Sequence, residues 1–559
     1  MPIPDQEPRL LPFLLIVVLC LAWLAPGLIG HQPWKGDEAE TMGLVHSILS
    51  GAPAATPVLA GEPWIAAPPP FYALVAATIA QWLAPWLPAH DGARLAGGFF
   101  ILLALIFSAL TGNELYGHRH GRLVVLVMIG TVGLWFTAHE SIPESALLCA
   151  EAMTGWGAAL VPRRSLTGGM LAGTGLGMAF MSAGMVVATA LALLLLLLPF
   201  VSPVWRTRAT LRAAAMSVLF ALPWFVLWPW MLVHSAPGWL AAWWQHQYQM
   251  FVFWAPGHET PTLYYLQFLP WFSWPAWPLA IWTVWQAHKR DQMTSPGIAL
   301  PLAMWLVITL VMSCTRSPNP DHGLVLLPPL AWLAAGGTAT LRRGAANALY
   351  WFAIMTFGVL AITAWIYWSA LDVGFPAQLA QHLHQLQPEY QGTLHPMSVT
   401  LALAYCLFWL MLLARMKRST QRPLMAWAAG MTLAWGLAAF LFVYPMDQRL
   451  GYQSMMRSLG PMLTDQSCVS GLDLDHGARA MLDYYLDVQT LHVRAPDDRS
   501  CRQLLAEEPG DTAAPARYPG WQLVWQGGRI GNHVERFALY RRAPSTRAHA
   551  MGHPSHGRD

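Results

Sequence analysis

Charge is what this chain has least of. Only 11% of its 559 residues are Asp, Glu, Lys or Arg, against roughly 25% in an ordinary soluble domain. That deficit excludes an ordinary water-soluble enzyme. The formal net charge of +3 is spread thinly, which argues against a nucleic-acid partner. Six cysteines are too few for a disulfide scaffold. Gly and Pro are scattered without a repeat, so collagen and solenoids are excluded. No Gly-rich phosphate loop ending in Gly-Lys-Ser/Thr occurs, which removes ATP-driven transport. Gly-x-Ser-x-Gly and His-Glu-x-x-His are absent too. Carboxylates are nearly missing from the apolar runs, Glu151 being the main exception. With no evident repeat between the two halves, a secondary transporter is disfavoured.

What remains is apolar. Hydrophobic residues make up 55% of the chain, with 30 tryptophans, and mean hydropathy is +0.39. Trp collects at bilayer interfaces. A spanning helix needs about 20 mostly apolar residues. Segments 11–30, 92–111, 121–138, 144–160, 168–184, 186–202 and 211–233 qualify or nearly so. So do 266–287, 297–313, 323–340, 346–368, 398–415 and 424–443. The first of these thirteen reads as a retained helix rather than a signal peptide. No small-residue cleavage pattern follows it, and Asp5 and Glu7 spoil a basic leader.

Lys and Arg in the short loops give the orientation. One alternate set holds Arg119, Arg122, Arg163, Arg164, Arg206, Arg208, Arg212, Lys289, Arg290, Arg342, Arg343, Arg415, Lys417, Arg418 and Arg422. The other holds only Lys35, Arg94 and Arg316. The basic side is expected in the cytoplasm, with the N-terminus. An odd helix count then puts the tail after Tyr444 outside. The expected architecture is an α-helical multi-pass membrane domain over 1–444, with outer loops 31–91, 234–265 and 369–397. Charges return from about residue 445, which predicts a small α/β domain over 445–543 and a disordered tail over 544–559. Within that domain VSGLDL (469–474), WQLVWQ (521–526) and ERFALYRR (535–542) read as strands. HGARAMLDYYL (476–486) and CRQLLAEE (501–508) read as helices.

Two acidic clusters stand on the outer face: Gly36-Asp37-Glu38-Ala39-Glu40 and His139-Glu140-Ser141-Ile142-Pro143-Glu144. Asp37 suits a general base, and Glu38 suits a group orienting an acceptor or a metal. The plain reading of each cluster is a helix start, where acidic side chains are worth about 1 kcal/mol. Two such clusters on one face favour function. Outer-face side chains that could meet a substrate are Arg94, His258, Arg316 and His322, together with Tyr264 and Tyr265, which read equally as an interfacial aromatic belt. His139, Glu140, Asp37 and Glu38 offer N/O ligands for a divalent cation. Their spacing matches no known metal motif, so no metal ligand is assigned.

The stretch 36–77 resembles the first outer loop of the protein O-mannosyltransferase and aminoarabinose transferase superfamily, multi-spanning glycosyltransferases of GT-C type. The elements that carry the resemblance are Asp37-Glu38, Gly61-Glu62-Pro63-Trp64 and Pro68-Pro69-Pro70-Phe71-Tyr72. A second family acid corresponds to Glu144. A His-x-x-Pro-x-x-Tyr-Tyr-Leu signature stands as His258, Pro261, Tyr264, Tyr265 and Leu266, and the tail strand pattern at 535–542. The resemblance implies sugar transfer from a polyprenyl-phosphate donor to an outer-face acceptor, with Asp37, Glu38 and Glu144 catalytic. It also implies a bacterial inner membrane and a periplasmic tail, with the bilayer, a lipid-linked sugar and a lipid or protein acceptor as partners. The phosphate-facing cations of the family are missing. Ala66-Ala67-Pro68 replaces Glu-Lys-Pro, Ser182-Ala183-Gly184-Met185 replaces Thr-Lys-Gly-Pro, and Met250-Phe251 replaces Arg-Phe. The alternative is therefore a scaffold or partner subunit that keeps the fold without the activity. The outward tail sits in an oxidising compartment, where Cys468 and Cys501 are expected to form a disulfide.

Overall fold

The computed structural model describes residues 10–542, apart from 66–67, 252–263, 316–320, 387–389, 391, 418, 420, 465–467, 494, 496–500, 510–517 and 530–534. Each of the thirteen apolar segments is helical along most of its length. Among the described residues six helical stretches are both long and apolar enough to cross a bilayer: Ala89–Tyr116, Arg208–Ser235, Asp321–Thr340, Arg343–Val373, Pro396–Arg415 and Arg422–Leu441. Shorter apolar helices such as Met185–Val201 and Pro296–Met312 stand beside them.

Two segments are broken, and each break satisfies the other. One divides into His120–Gly130 and Leu134–Thr137, the other into Tyr264–Phe272 and Ala276–Lys289. Val132 N–H donates to the Trp274 carbonyl at 3.1 Å, and Gly133 N–H to that of Phe272 at 2.7 Å. Backbone groups freed inside a bilayer must find such partners. Gly133 is required there, since a Cβ would lie 2.6 Å from the Phe272 ring.

Asp37–Leu49 and Phe71–Leu83 are the two helices of the segment expected to form the first outer loop. Between them runs a two-residue hairpin, Val58–Leu59 against Glu62–Pro63. Its turn needs Gly61, which has φ +81° and would bring a Cβ to 2.5 Å from Gln489. Further helices lie at Pro237–Phe251 and Ala377–Leu386, and Val443–Leu450 and Gln453–Leu459 lead into the tail.

The tail forms a five-stranded sheet in the order Thr490–Val493, Val469–Leu472, Gln503–Pro509, Glu535–Arg542, Trp521–Gly527. The first three strands are parallel and the last two antiparallel to their neighbours. Helix His476–Leu486 is capped by Asp475, which accepts from Ala478 N–H at 2.5 Å. One expectation is corrected: residues 503–509 are the central strand, not a helix. Its Gln, Leu, Ala and Glu are good helix formers. Pairing on both edges, with Leu504, Leu505 and Ala506 buried, outweighs that local preference. A disulfide joins Cys468 to Cys501 just ahead of two adjacent strands, with the Cα atoms 5.2 Å apart.

The sheet domain seats directly on the first surface helix. A Cβ on Gly43 would lie 2.5 Å from the Ala480 Cβ, so only glycine admits helix His476–Leu486 this close. Arg479 pairs with Glu62 at 2.9 Å, the Trp64 and His476 rings meet at 4.1 Å, and Tyr485 Oη donates to Gln32 Oε1 at 2.5 Å. The hairpin motif of the first loop is thus a docking element for the tail.

Candidate active site

The first turn of helix Asp37–Leu49 carries Asp37, Glu38 and Glu40. Gly36 precedes it at φ +88°, with open space around its Cβ position, so the glycine serves conformation rather than packing. The two acids that follow have different fates.

Glu38 is 2% exposed. Its Oε1 accepts from Arg94 Nε at 2.8 Å and from Ser141 N–H at 3.2 Å, and its Oε2 accepts from Trp34 N–H at 2.9 Å. Burial pushes this carboxyl up, but Arg94, His31 and the Trp34 N–H together more than offset it and hold the group below the usual value. Arg94 is 0% exposed. It also donates to Asp91 Oδ1 at 2.9 Å and to the carbonyls of His31 and Gln32 at 3.3 Å each. The expectations that Glu38 reacts and that Arg94 binds substrate are therefore revised. They form a sealed ion pair that ties the first loop to helix Ala89–Tyr116 and to the 139–143 turn. Tyr72 strengthens the same tie, its hydroxyl lying 3.1 Å from Ser141 Oγ. Gly97 lets the turn approach, because a Cβ there would meet the Glu140 carbonyl at 2.7 Å.

His139 is equally committed. Its ring nitrogens lie 3.0 and 3.1 Å from the Trp23 and Trp135 carbonyls, and the ring stacks on Trp435 at 4.0 Å. With His139 and Glu38 both engaged, the set His139, Glu140, Asp37 and Glu38 does not present four free ligands. Among the described residues no group of three His, Cys, Asp or Glu side chains has a metal-holding arrangement.

Asp37 instead faces a second constellation. The Asp321 side chain lies close enough to that of Asp37 to interact with it directly. Beside Asp321, His322 Nε2 lies 3.6 Å from Glu144 Oε1. Glu144 opens helix Glu144–Leu160 directly after Pro143, which suits a helix start. Its Oε2 is buried without a hydrogen-bond partner, and the Asp37 charge reaches it. The helical turn Asp321–Leu326 packs on this helix start. Gly323 is needed in that turn, where a Cβ would lie 2.5 Å from the Phe268 ring.

Tyr264 and Tyr265 begin helix Tyr264–Phe272, edge to face at 5.3 Å, and both rings contact Phe268. They border the His322 turn through Phe268. Tyr265 is 1% exposed and Tyr264 half-buried, so Tyr264 is the more accessible. His258 and Arg316 lie outside the described residues.

The cluster is rich in acid. Burial drives the Glu140 carboxyl well above the usual range, and Glu38, Asp321 and Asp37 push the same way. Burial also raises Glu40 to about 7, helped by Asp37 and by Asp475 of the tail domain. The residue that sequence reasoning missed is Asp321. No local motif marks it, and its proximity to Asp37 is a tertiary fact. Where the family lysine is expected at 183, Gln247 from helix Pro237–Phe251 closes the helix break, accepting from Met185 N–H at 3.0 Å.

No protein-family model matches the sequence, and no curated protein matches it. Solved structures do. ArnT from Cupriavidus metallidurans bound to undecaprenyl phosphate superposes with TM-score 0.68 at 16% identity, over 95% of this chain and 98% of that one. Its apo form gives 0.68 over 94% and 97%. The Archaeoglobus fulgidus oligosaccharyltransferase gives 0.46 at 10% identity, over 88% of this chain and 61% of that one. At this identity the likeness shows the fold: a GT-C-type, multi-pass membrane architecture with a small sheet domain at the C-terminus.

Proposed function

We propose that this chain moves a sugar from a polyprenyl-phosphate carrier to an acceptor at the outer face of a bacterial inner membrane. The observation that carries the reading is the meeting of Asp37, Asp321, Glu144 and His322. It occurs on a fold whose solved example holds undecaprenyl phosphate. Asp37 is the base. It accepts the proton of an acceptor hydroxyl as that oxygen attacks the anomeric carbon and the bond to the phosphate oxygen breaks. Glu144 and His322 line the same site and Tyr264 contacts the donor, a role that the sequence also gives to Arg316 and His258. Glu38 and Arg94 hold the loop that carries Asp37. Lipid A, protein and envelope glycan are the acceptor classes, and a hexose or a pentose is the sugar. The disulfide-bonded tail supports a periplasmic C-terminal domain and a cytoplasmic N-terminus.

A second reading, a scaffold on the same fold, is favoured by one observation: alanine stands at 67 and 183, where the family resemblance calls for lysine. Mass spectrometry of envelope lipids and glycans in a deletion strain decides between them. The transferase reading expects one glycoform to vanish and to return with the wild-type gene but not with Asp37→Asn. Return with Asp37→Asn as well supports the scaffold.

A further inference from the structure

Helices Arg343–Trp368 and Pro396–Arg415 follow one another in the chain, and both belong to stretches long and apolar enough to cross a bilayer. Little of either is buried in the protein. Tyr350, Ala353 and Phe357 are the buried residues of the first, and Ala402, Trp409 and Leu412 those of the second. Each packs on Arg422–Leu441, but they make little direct contact with one another. Between them lies a cleft of about 720 Å3, whose walls include Gly358, Trp365, Trp368, Phe375, Pro376 and Trp409. Gly358 and Trp368 stand ten residues apart on one helix, about 15 Å at a rise of 1.5 Å per residue. That is half of a hydrocarbon core of about 30 Å. The cleft therefore runs from the middle of the membrane to one surface, where Trp365 and Trp368 stand at the level that Trp favours.

At its mouth the chain turns. Gly374, at φ +82°, follows the last turn of the first helix. Phe375 and Pro376 then lead into the short helix Ala377–Leu386, none of whose residues is buried. Leu379, Leu383 and Leu386 recur at the spacing of one helix face, and Gln378, Gln381, His382 and Gln385 at that of the opposite face. The helix contains no Asp, Glu, Lys or Arg. Beside it, Phe375 is 71% exposed and Val373 56%. A helix with one apolar face, an uncharged polar face and no protein cover suits the plane of a membrane surface, where burial of the apolar face supplies the attraction.

We propose that the cleft and this helix form a binding site for one phospholipid of the adjoining leaflet, with an acyl chain in the cleft and the headgroup beside the polar face of Ala377–Leu386. An apolar void left empty forfeits contacts along its walls, and hydrocarbon is the medium on the open side of this one. The depth of a single leaflet fits an acyl chain, whereas a long polyprenyl chain would overrun it. The cleft has no wall from the helices that carry Asp37 and Glu144 or from the turn that carries His322, so it is separate from the candidate active site. The bound lipid fills the gap between two consecutive spanning helices and holds the segment that joins them at the membrane surface.

Two measurements on the full chain test this. In the first, the free thiols Cys20, Cys149, Cys314 and Cys406 are replaced, and a nitroxide is attached to single cysteines along the helix in nanodiscs of phosphatidylethanolamine and phosphatidylglycerol. Labels at Leu379→Cys, Leu383→Cys and Leu386→Cys should be open to oxygen and shielded from a water-soluble nickel chelate. Labels at Gln378→Cys, Gln381→Cys and Gln385→Cys should show the reverse. Access to the chelate at all six would overturn the proposal. So would exclusion of both reagents at the three leucine positions, which would put a second copy of the chain or another protein on this face. The second measurement is native mass spectrometry after extraction from the cell membrane in mild detergent. The wild type should keep one phospholipid per chain. Gly358→Leu should lose it, because a Cβ there meets only the Trp409 ring, at 4.0 Å, and the longer side chain takes up the cleft. Ala361→Trp fills the same cleft and decides the matter if Gly358→Leu folds poorly. A wild type that carries no lipid, equal retention in both variants, or a polyprenyl phosphate in the lipid's place would overturn the site.

Discussion

Arg94 Nε donates to Glu38 Oε1 at 2.8 Å, and neither side chain is more than 1% exposed. A buried pair of this kind contributes modestly as a pair, yet removing one partner strands the other charge. Glu38→Gln is expected to lower stability by about 3 kcal/mol or more. The double variant Glu38→Gln/Arg94→Met should recover part of that loss. Thermal unfolding in detergent measures both. An unaltered melting temperature with lost activity in Glu38→Gln would return Glu38 to the chemistry.

Glu40 gives a pH dependence of defined sign. Its carboxyl is raised from 4.5 to about 7 by burial and by Asp37 and Asp475. The folded chain then holds this proton more tightly than the unfolded chain. The group's contribution is fully present below about pH 4.5 and is lost as pH rises through about 7. Glu40→Gln should melt close to the wild type at low pH and above it at about pH 8. After allowance for partial exposure the gain is about 1–2 kcal/mol. A melting difference independent of pH would show that Glu40 is not strained in the folded state.

The Cys468–Cys501 bridge closes a 33-residue separation within a small domain. Closing such a loop is worth roughly 3 kcal/mol. Reduction should therefore loosen the tail and, through the Gly43–Ala480 contact, the helix that bears Asp37. Thiol labelling of unreduced, denatured protein should leave both cysteines unmodified. Labelling of both would also count against an outward tail.

The membrane helices were legible because a run of apolar side chains is a local property. Asp37 and Glu144 were legible as acids at helix starts on one face. The roles of Glu38 and Arg94 were not, since their pairing spans 56 residues and is decided by burial. Residues 503–509 misled because helix-forming side chains were recruited to the middle of a sheet. Asp321 was not legible because it stands 284 residues from Asp37 in sequence and only the tertiary fold brings the two together.

The most direct test is sugar transfer by purified wild type and Asp37→Asn, given a polyprenyl-phosphate sugar and an envelope-lipid acceptor. The wild type is expected to turn over, and the folded, monodisperse variant to lose at least about 100-fold in rate. Equal turnover by the two proteins would contradict the assignment of Asp37 as the base and with it the site described above.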